Sequence, residues 1–502
     1  MGRESVQRAV PDRFRVSSVL TSPRLLTREV LAGLVVALAL IPEAIAFSII
    51  AGVDPRYGLF SSFIMATSIA ILGGRRAMIT GATGAVAFVV APVAREWGVE
   101  YLLATIILSG VFQVVLALLG VAKLQRFIPR SVMVGVVNSL AILVFIAQIP
   151  HLFGVPWLVY PLVAIGVVIM VLLPRLTTII PAPLIAIIVV TTLVLVLRVQ
   201  VPTVGDEGEL PESLPMFLLP NVPLTFETLA IIAPFAAAIA VVGLIESLMT
   251  AKLVDDITDT RSNKTRESWG LGVANILSGL FGGMGGCAVI GQTMMNVKTA
   301  GARSRISTFL AGVFLLLLVV AFGDFVAVIP MAALVAVMLM VSVATFNWHS
   351  IRPGTLRRMP LSETIVMLVT VIAVVVTHNL AIGVLLGVVA AMVGFARRVA
   401  RFTTVTRVLT EGASPIARYE VRGELFFASS NDLTTQFAYA EDPGHVVIDL
   451  HESHIWDAST VASLDAILTK YRKLGTRVEV LGVNEASAQI RSRLSGNLGE
   501  GE

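Results

Sequence analysis

The sequence predicts an α-helical polytopic membrane protein with 14 spans as a 7+7 inverted repeat, short half-helices at spans 3 and 10, and a small cytosolic α/β domain near its C-terminal end. Three observations predict it. The 502 residues are 56% hydrophobic and only 14% charged, with a mean hydropathy of +0.88, whereas a soluble protein is about one quarter charged. Apolar runs of about 20 residues, the length that crosses a bilayer, recur up to residue 400. Short strings also recur at a common offset. Leu108-Ser109-Gly110-Val111-Phe112 resembles Leu310-Ala311-Gly312-Val313-Phe314 at 202, and Ile128-Pro129 resembles Ile329-Pro330 at 201. Glu43 and Glu246 are 203 apart, as are the breaks at Gly84 and Cys287. An odd number of spans per half makes the second half enter the membrane from the opposite side.

Residues 1–28 are polar and Arg-bearing, a cytoplasmic segment without the features of a cleavable signal peptide. The first half, 29–200, carries spans at 29–50, 55–74, 82–95, 101–122, 128–149, 157–174 and 182–199. An outer loop, 201–227, follows, with Asp206, Glu207, Glu209 and Glu212 expected in solvent. The second half, 228–400, carries spans at 228–254, 269–284, 288–300, 305–323, 327–346, 363–378 and 381–399. With the N-terminus inside, the cytoplasmic segments hold 26 Lys or Arg and the outer loops 3, which places both termini in the cytoplasm and the protein in the inner (plasma) membrane. A linker, 401–418, leads to a domain at 419–502 with strands at 419–428, 445–450 and 477–482 and helices near 430–441 and 459–474. Alternating strands and helices predict parallel pairing.

Several classes are excluded. One cysteine, Cys287, leaves no internal disulfide and no Cys-based metal site. No Walker loop, catalytic triad spacing or metal-spaced cluster is present, so neither an enzyme nor a cofactor is expected. The net charge of +4 sits in membrane-flanking loops and does not point to nucleic acid.

Three constellations carry chemistry. In Ile41-Pro42-Glu43-Ala44-Ile45-Ala46-Phe47-Ser48, Pro42 interrupts the helix ladder beside Glu43. A carboxylate at membrane depth costs several kcal/mol, so Glu43 is a candidate proton carrier; its alternative is a protonated Glu capping carbonyls freed at the kink. Glu246, in Gly243-Leu244-Ile245-Glu246-Ser247, is the counterpart in the second half, either coupling and gating or holding a neighbouring segment. Asp255, Asp256 and Asp259 after it read as a solvated helix end. The third constellation is the pair of Gly-rich breaks, Thr80 to Ala85 and Gly282 to Thr293. A half-helix that begins inside the membrane presents unpartnered N–H groups and the positive end of its dipole. Two such ends across a cavity hold an anion without a buried Lys or Arg. The donors are the backbones of Gly84, Ala85, Val86, Gly291, Gln292 and Thr293, with the Gln292 and Thr293 side chains and Phe47 nearby. The competing reading is Gly-mediated close helix packing. Gln113, Asn138, Gln148, Asn275 and His378 are expected to form interhelical hydrogen bonds.

These residues resemble the SulP family, the sulfate permeases grouped with solute carrier family 26. The likeness lies in Pro42-Glu43-Ala44, in Asp54-Pro55-Arg56-Tyr57-Gly58-Leu59-Phe60-Ser61-Ser62-Phe63, in Gly81 to Ala85, in Gly243 to Ser247 and in Asn296 to Arg305. The resemblance implies core spans 1–4 and 8–11, gate spans 5–7 and 12–14, an anion site between spans 3 and 10, elevator-type movement and a homodimer. The soluble tail resembles a STAS domain. Its Asp457-Ala458-Ser459 matches a phosphorylation motif of stand-alone relatives, although Ser459 read as a helix N-cap needs no such role. One departure stands out: many members carry an Arg where this chain has Gln292. Together these readings predict a secondary active anion transporter, with proton-coupled symport of a dicarboxylate such as fumarate favoured. Sodium-coupled bicarbonate or sulfate uptake and a passive anion channel are the alternatives.

Overall fold

The computed structural model describes residues 16–120, 129–176, 181–377, 380–400, 403–410, 415–430 and 433–495. His378 and Ile128 lie outside them. The chain divides into two compact units, Met1–Val388 and Val389–Glu502.

Each apolar segment read from the sequence contains helix, all within the first unit except the last, which continues past Val388. The first half has α1 (Pro23–Ala51), α2 (Pro55–Leu72), α3 (Gly84–Trp97), α4 (Val99–Leu118), α5 (Arg130–Gln148), α6 (Val159–Leu176) and α7 (Ala182–Leu197). The second has α8 (Phe226–Thr258), α9 (Lys264–Leu280), α10 (Ile290–Met294), α11 (Arg305–Ala321), α12 (Met331–Thr345), α13 (Leu361–Thr377) and α14 (Leu380–Ala400). Among the described residues 6 helices are long and apolar enough to cross a membrane on length and composition. A two-residue strand precedes each half-helix, β1 (Thr80–Gly81) before α3 and β2 (Cys287–Ala288) before α10, and the two pair antiparallel.

The packing repeats between the halves. Helix α4 packs on α8 and α9, while α11 packs on α1 and α2, so each half lends its fourth helix to the first two of the other. Likewise α5 packs on α13 and α6 on α12. Glycine permits a close crossing: a Cβ on Gly110 of α4 would lie 2.5 Å from the Gly272 carbonyl oxygen of α9.

Two fully buried carboxylates hold helix ends, and the sequence reading had assigned neither. Glu29 accepts from the Arg303 N–H at 2.8 Å and the Ser304 hydroxyl at 2.8 Å, at the start of α11. Glu267 accepts from the Gly74 and Arg75 N–H groups at 2.7 and 2.8 Å, just past α2. Each satisfies helix-end or loop donors that water cannot reach. The expectation of a solvated Asp255 fails. It pairs with Arg75 at 2.9 Å and Lys264 at 2.8 Å, whereas Asp256 and Asp259 are exposed as read. In the loop before α8 Glu209 meets Arg56 at 2.5 Å.

In the second unit β3 (Thr404–Thr410), β4 (Ile416–Leu425), β5 (His445–Ile455) and β6 (Arg477–Leu481) form one sheet in that order. The pairs β4–β5 and β5–β6 are parallel, as the alternation predicts, and β3–β4 is antiparallel. Helices α15 (Ala458–Lys473) and α16 (Glu485–Leu494) accompany the sheet, and Tyr419, Ile448, Leu464 and Tyr471 are buried in its core. Three readings change here. The linker contains β3, α16 was not foreseen, and the 430–441 helix is reduced to short turns at Phe427–Ser430 and Leu433–Gln436. Ser459 is not the cap of α15. Asp457 is, accepting from the Thr460 N–H at 3.0 Å, and it leaves Ser459 exposed in the first turn.

Candidate anion site

The paired strands set the site. Thr80 lies opposite Ala288 and Gly81 opposite Cys287, and the chain turns from each strand into a half-helix. A side chain on Gly286 would collide with the Gly81 carbonyl, and one on Gly283 with the Ser278 hydroxyl. Close packing therefore explains these glycines. Gly84 and Gly291 behave differently, since both line a cavity. The two readings of the glycine-rich breaks apply to different residues.

The cap geometry settles which N–H groups are free. In α3 the first helical bond runs from the Ala87 N–H to the Thr83 carbonyl at 2.9 Å, so those of Gly84, Ala85 and Val86 have no partner within the helix. In α10 it runs from Thr293 to Val289 at 3.0 Å, which leaves Ile290, Gly291 and Gln292. The Thr293 N–H is thus already used. Its hydroxyl faces Ile79 instead, accepting from that N–H at 3.0 Å. Thr293 ties α10 to the segment before β1, and Ile290 takes its place as a donor. The caps Thr83 and Val289 fall 206 positions apart, so the Gly84–Cys287 correspondence shifts by three residues at the breaks.

Neither cap satisfies its helix. Val289 has no side-chain donor or acceptor, and Thr83 makes no capping bond. The Thr83 hydroxyl instead meets the Cys287 thiol at 3.1 Å, and that thiol donates to Glu246 at 2.9 Å.

The cavity of about 120 Å³ is lined by both half-helix starts, by Glu43 and Phe47 of α1 and by Glu246 of α8. That is room for several waters or a small oxyanion. Apolar side chains of Val136, Leu140, Val144 and Val242 complete the wall, and no Lys or Arg is among the described lining residues. Glu43 is buried and hydrogen-bonds the Gln292 side chain, which joins the two halves; the Gln292 Oε1 is buried without a partner. Phe47 closes on Gly84, whose added Cβ would lie 3.0 Å from the ring. Ala85 and Val86 are fully buried and do not line the cavity. Of the expected residues the structure brings Glu43, Phe47, Gly84, Glu246, Gly291 and Gln292 to one cavity, and leaves Ala85, Val86 and Thr293 off its wall. Thr83, Ile290 and Cys287 were missed as individual groups, although all three lie inside or beside the breaks.

The other intramembrane polar groups are largely structural. Asn275 donates to Gln113 at 2.9 Å and holds the Gly286 backbone through its N–H at 2.9 Å. Asn138 bonds Ser350 at 2.9 Å. Gln148 reaches the Val144 carbonyl of its own helix at 3.3 Å, so its bond is not interhelical.

Residues 26–172 and 157–370 match the sulfate permease family, and residues 407–497 match the STAS domain. The chain is 50% identical over 468 residues to the "Putative sulfate transporter YbaR" of Bacillus subtilis, covering 93% of this chain and 97% of that protein. It is 24% identical to the "Bicarbonate transporter BicA" of Picosynechococcus, over 93% of this chain and 90% of the other. Among solved structures, murine Solute Carrier 26 family member A9 in the inward-facing state shares the fold, with TM-score 0.78 at 16% identity over 93% of this chain and 87% of that one. The transmembrane domain of a cyanobacterial BicA matches 74% of this chain and 98% of its own, with TM-score 0.63 at 24% identity. The chain therefore belongs to the sulfate permease family, as a membrane anion transporter with a C-terminal STAS domain.

Proposed function

We propose that this transporter is a secondary active, proton-coupled symporter of a small dicarboxylate such as fumarate. The anion rests between the N-termini of α3 and α10, Glu43 carries the proton and Glu246 takes part in coupling. One observation carries this reading: two uncapped half-helix starts and two carboxyl groups, one from each half, line a single cavity with no cationic side chain among its described lining residues. A dianion entering beside two carboxylates meets like charge in a poorly screened space. Protonating them removes that repulsion, so anion and proton enter together more readily than either alone. The apolar wall of Val136, Leu140, Val144 and Val242 suits a carbon skeleton.

Sulfate is the second reading, favoured by the Bacillus subtilis relative, which is named as a putative sulfate transporter. In either case the reading includes fourteen crossings in the inner (plasma) membrane with both termini cytoplasmic, elevator-type displacement of the helices carrying the site, and a homodimer. Uptake by purified protein in liposomes tests it, with labelled fumarate, sulfate and bicarbonate under imposed proton or sodium gradients. Saturable, uphill fumarate uptake driven by the proton gradient is the expected result. Drive by sodium alone would favour sodium-coupled bicarbonate or sulfate uptake, and unsaturable downhill flux would favour a passive channel.

A further inference from the structure

We infer that Cys287 is a positioning residue that links the proton on Glu246 to the strength of the anion site, acting through Thr83. The inference rests on the proton-coupled reading above.

The three side chains form a line from one half of the protein to the other. The Glu246 carboxylate accepts from the Cys287 thiol at 2.9 Å, and the thiol lies 3.1 Å from the Thr83 hydroxyl, where either atom can donate. Glu246 and Thr83 line the cavity, whereas Cys287 is fully buried behind it. The backbone pairing of Cys287 with Gly81 fixes where its side chain starts, and the side chain is fully enclosed. Thr83 stands at the N-cap of α3, the position from which a hydroxyl ordinarily bonds its own helix, yet it makes no such bond. Its hydroxyl is committed to the thiol.

A thiol and a hydroxyl each have one hydrogen to give and can also accept one. With Glu246 ionised, the S–H points to the carboxylate, the Thr83 O–H points to the sulfur, and the oxygen lone pairs are left to face the cavity. One proton added to Glu246 from water reverses the line. The carboxyl O–H then donates to sulfur, the S–H turns to the Thr83 oxygen, and the Thr83 O–H is released toward the cavity beside the free N–H groups of Gly84 and Ala85. No bond between heavy atoms changes, and the only hydrogen gained is the one on Glu246. The anion meets one more donor and one less negative charge. By linkage, the bound anion favours the protonated carboxyl by the same factor.

Other groups facing Glu246 do not substitute for this line. Helix α1 brings Glu43 to the same cavity and α10 brings Gln292. Helix α4 brings Gln113 against Gly243, and Gln113 is bonded to Asn275 of α9. Among the described lining residues there is no Lys, Arg or His.

The test uses full-length protein in liposomes with labelled fumarate and labelled sulfate as probes. It reads the ratio of uptake with and without an inward proton gradient. Cys287→Ala should cut that ratio roughly tenfold, and Cys287→Ser, which keeps a donor and an acceptor, should restore most of it. An Ala variant with the unaltered ratio, or a Ser variant no better than Ala, overturns the inference. Because the chain has a single cysteine, the infrared S–H stretch of the unmodified protein reports on this thiol alone. The band should shift as pH falls, and the shift should vanish in Glu246→Gln; a band that stays in place across the pH range overturns the inference even if the Ala variant does not fold. If the parent protein shows no proton enhancement with either probe, the proton-coupled reading fails as well. If the parent and Cys287→Ala both show it, only the relay fails.

Discussion

Gly81 and Cys287, from opposite halves of the chain, face each other in a two-residue antiparallel ladder that fixes where both half-helices begin. Neither strand is long enough to be stable alone. Each is held by its neighbours: the Ala82 N–H donates to the Ser62 hydroxyl at 3.1 Å, and the Ala288 N–H to the Ser247 hydroxyl at 3.0 Å. The candidate anion site is therefore assembled at one junction, and whatever moves that junction moves both half-helix starts.

Tight contact at the junction predicts that Gly286→Ala destabilises the membrane unit. The new methyl group would sit on the Gly81 carbonyl, which belongs to the ladder and cannot retreat cheaply. Overpacking of this kind costs about 1–3 kcal/mol. Thermal unfolding in detergent should show the loss, and Gly291→Ala, where a Cβ meets nothing within 4 Å, should not. Equal melting temperatures for the two variants would mean that the ladder has slack.

Glu43→Gln should abolish proton-driven uptake while leaving the fold intact. An amide fills the same volume and still has a hydrogen-bonding group for Gln292, but it holds no transferable proton. Accumulation under a pH gradient, measured beside melting temperature, separates the two effects. Undiminished accumulation would remove Glu43 from the mechanism.

Much of the site was legible because membrane burial makes polar and glycine residues conspicuous. Glu43, Glu246 and both breaks stand out against apolar runs, and the structure gathers them at one cavity. What escaped depends on a shift of a few residues. Whether Ile290 or Thr293 offers a free N–H follows from α10 starting after Val289, and a Gly-rich break does not mark that start. Cys287 read only as a repeat marker and as an absence of disulfides, because its partners Thr83 and Glu246 are far away in sequence. Strand β3 was hidden in a linker because its exposed face carries Thr404, Thr406 and Thr410 among solvent-facing positions, a weak alternation.

The tail should fold by itself when cut before residue 403. A cut at 405 divides β3, which pairs with β4 along Thr404 to Thr410. Within this unit burial pushes the Asp449 carboxyl up, but hydrogen bonds from Arg418 and from the His451 backbone and ring outweigh it and hold the group well below the usual carboxylate range. A depressed carboxyl adds stability that is complete above its unfolded value, near pH 3.9, and is lost as pH falls through the lower folded value. Asp449→Asn should therefore melt a few degrees lower than the parent at neutral pH. The gap should begin to narrow below about pH 4 and close only as pH falls through the lower folded value. A gap of constant size down to strong acid would show that charge plays no part.

The sharpest prediction ranks three substitutions at the cavity. Gly291→Val adds a side chain at the start of α10 whose Cβ meets no protein atom within 4 Å and which would occupy the position of an anion held by the Ile290, Gly291 and Gln292 N–H groups. Binding should be lost with stability kept. Gly84→Val should lose binding too, but with added strain, because its Cβ meets the Phe47 ring at 3.0 Å and Val144 at 3.4 Å. Gln292→Ala should weaken binding by only about 1–2 kcal/mol, the scale of one hydrogen bond. It also leaves Glu43 without its Gln292 partner, so its effect should grow as pH rises and the carboxyl ionises. Helix-end stabilisation of a charge reaches up to about 2 kcal/mol when partly buried. Two opposed ends then give the modest affinity that a carrier must have to release its cargo. Titration of labelled fumarate and sulfate against the three purified variants, each with a melting curve, tests the order. Near-parental affinity in both valine variants would place the anion elsewhere in the membrane unit.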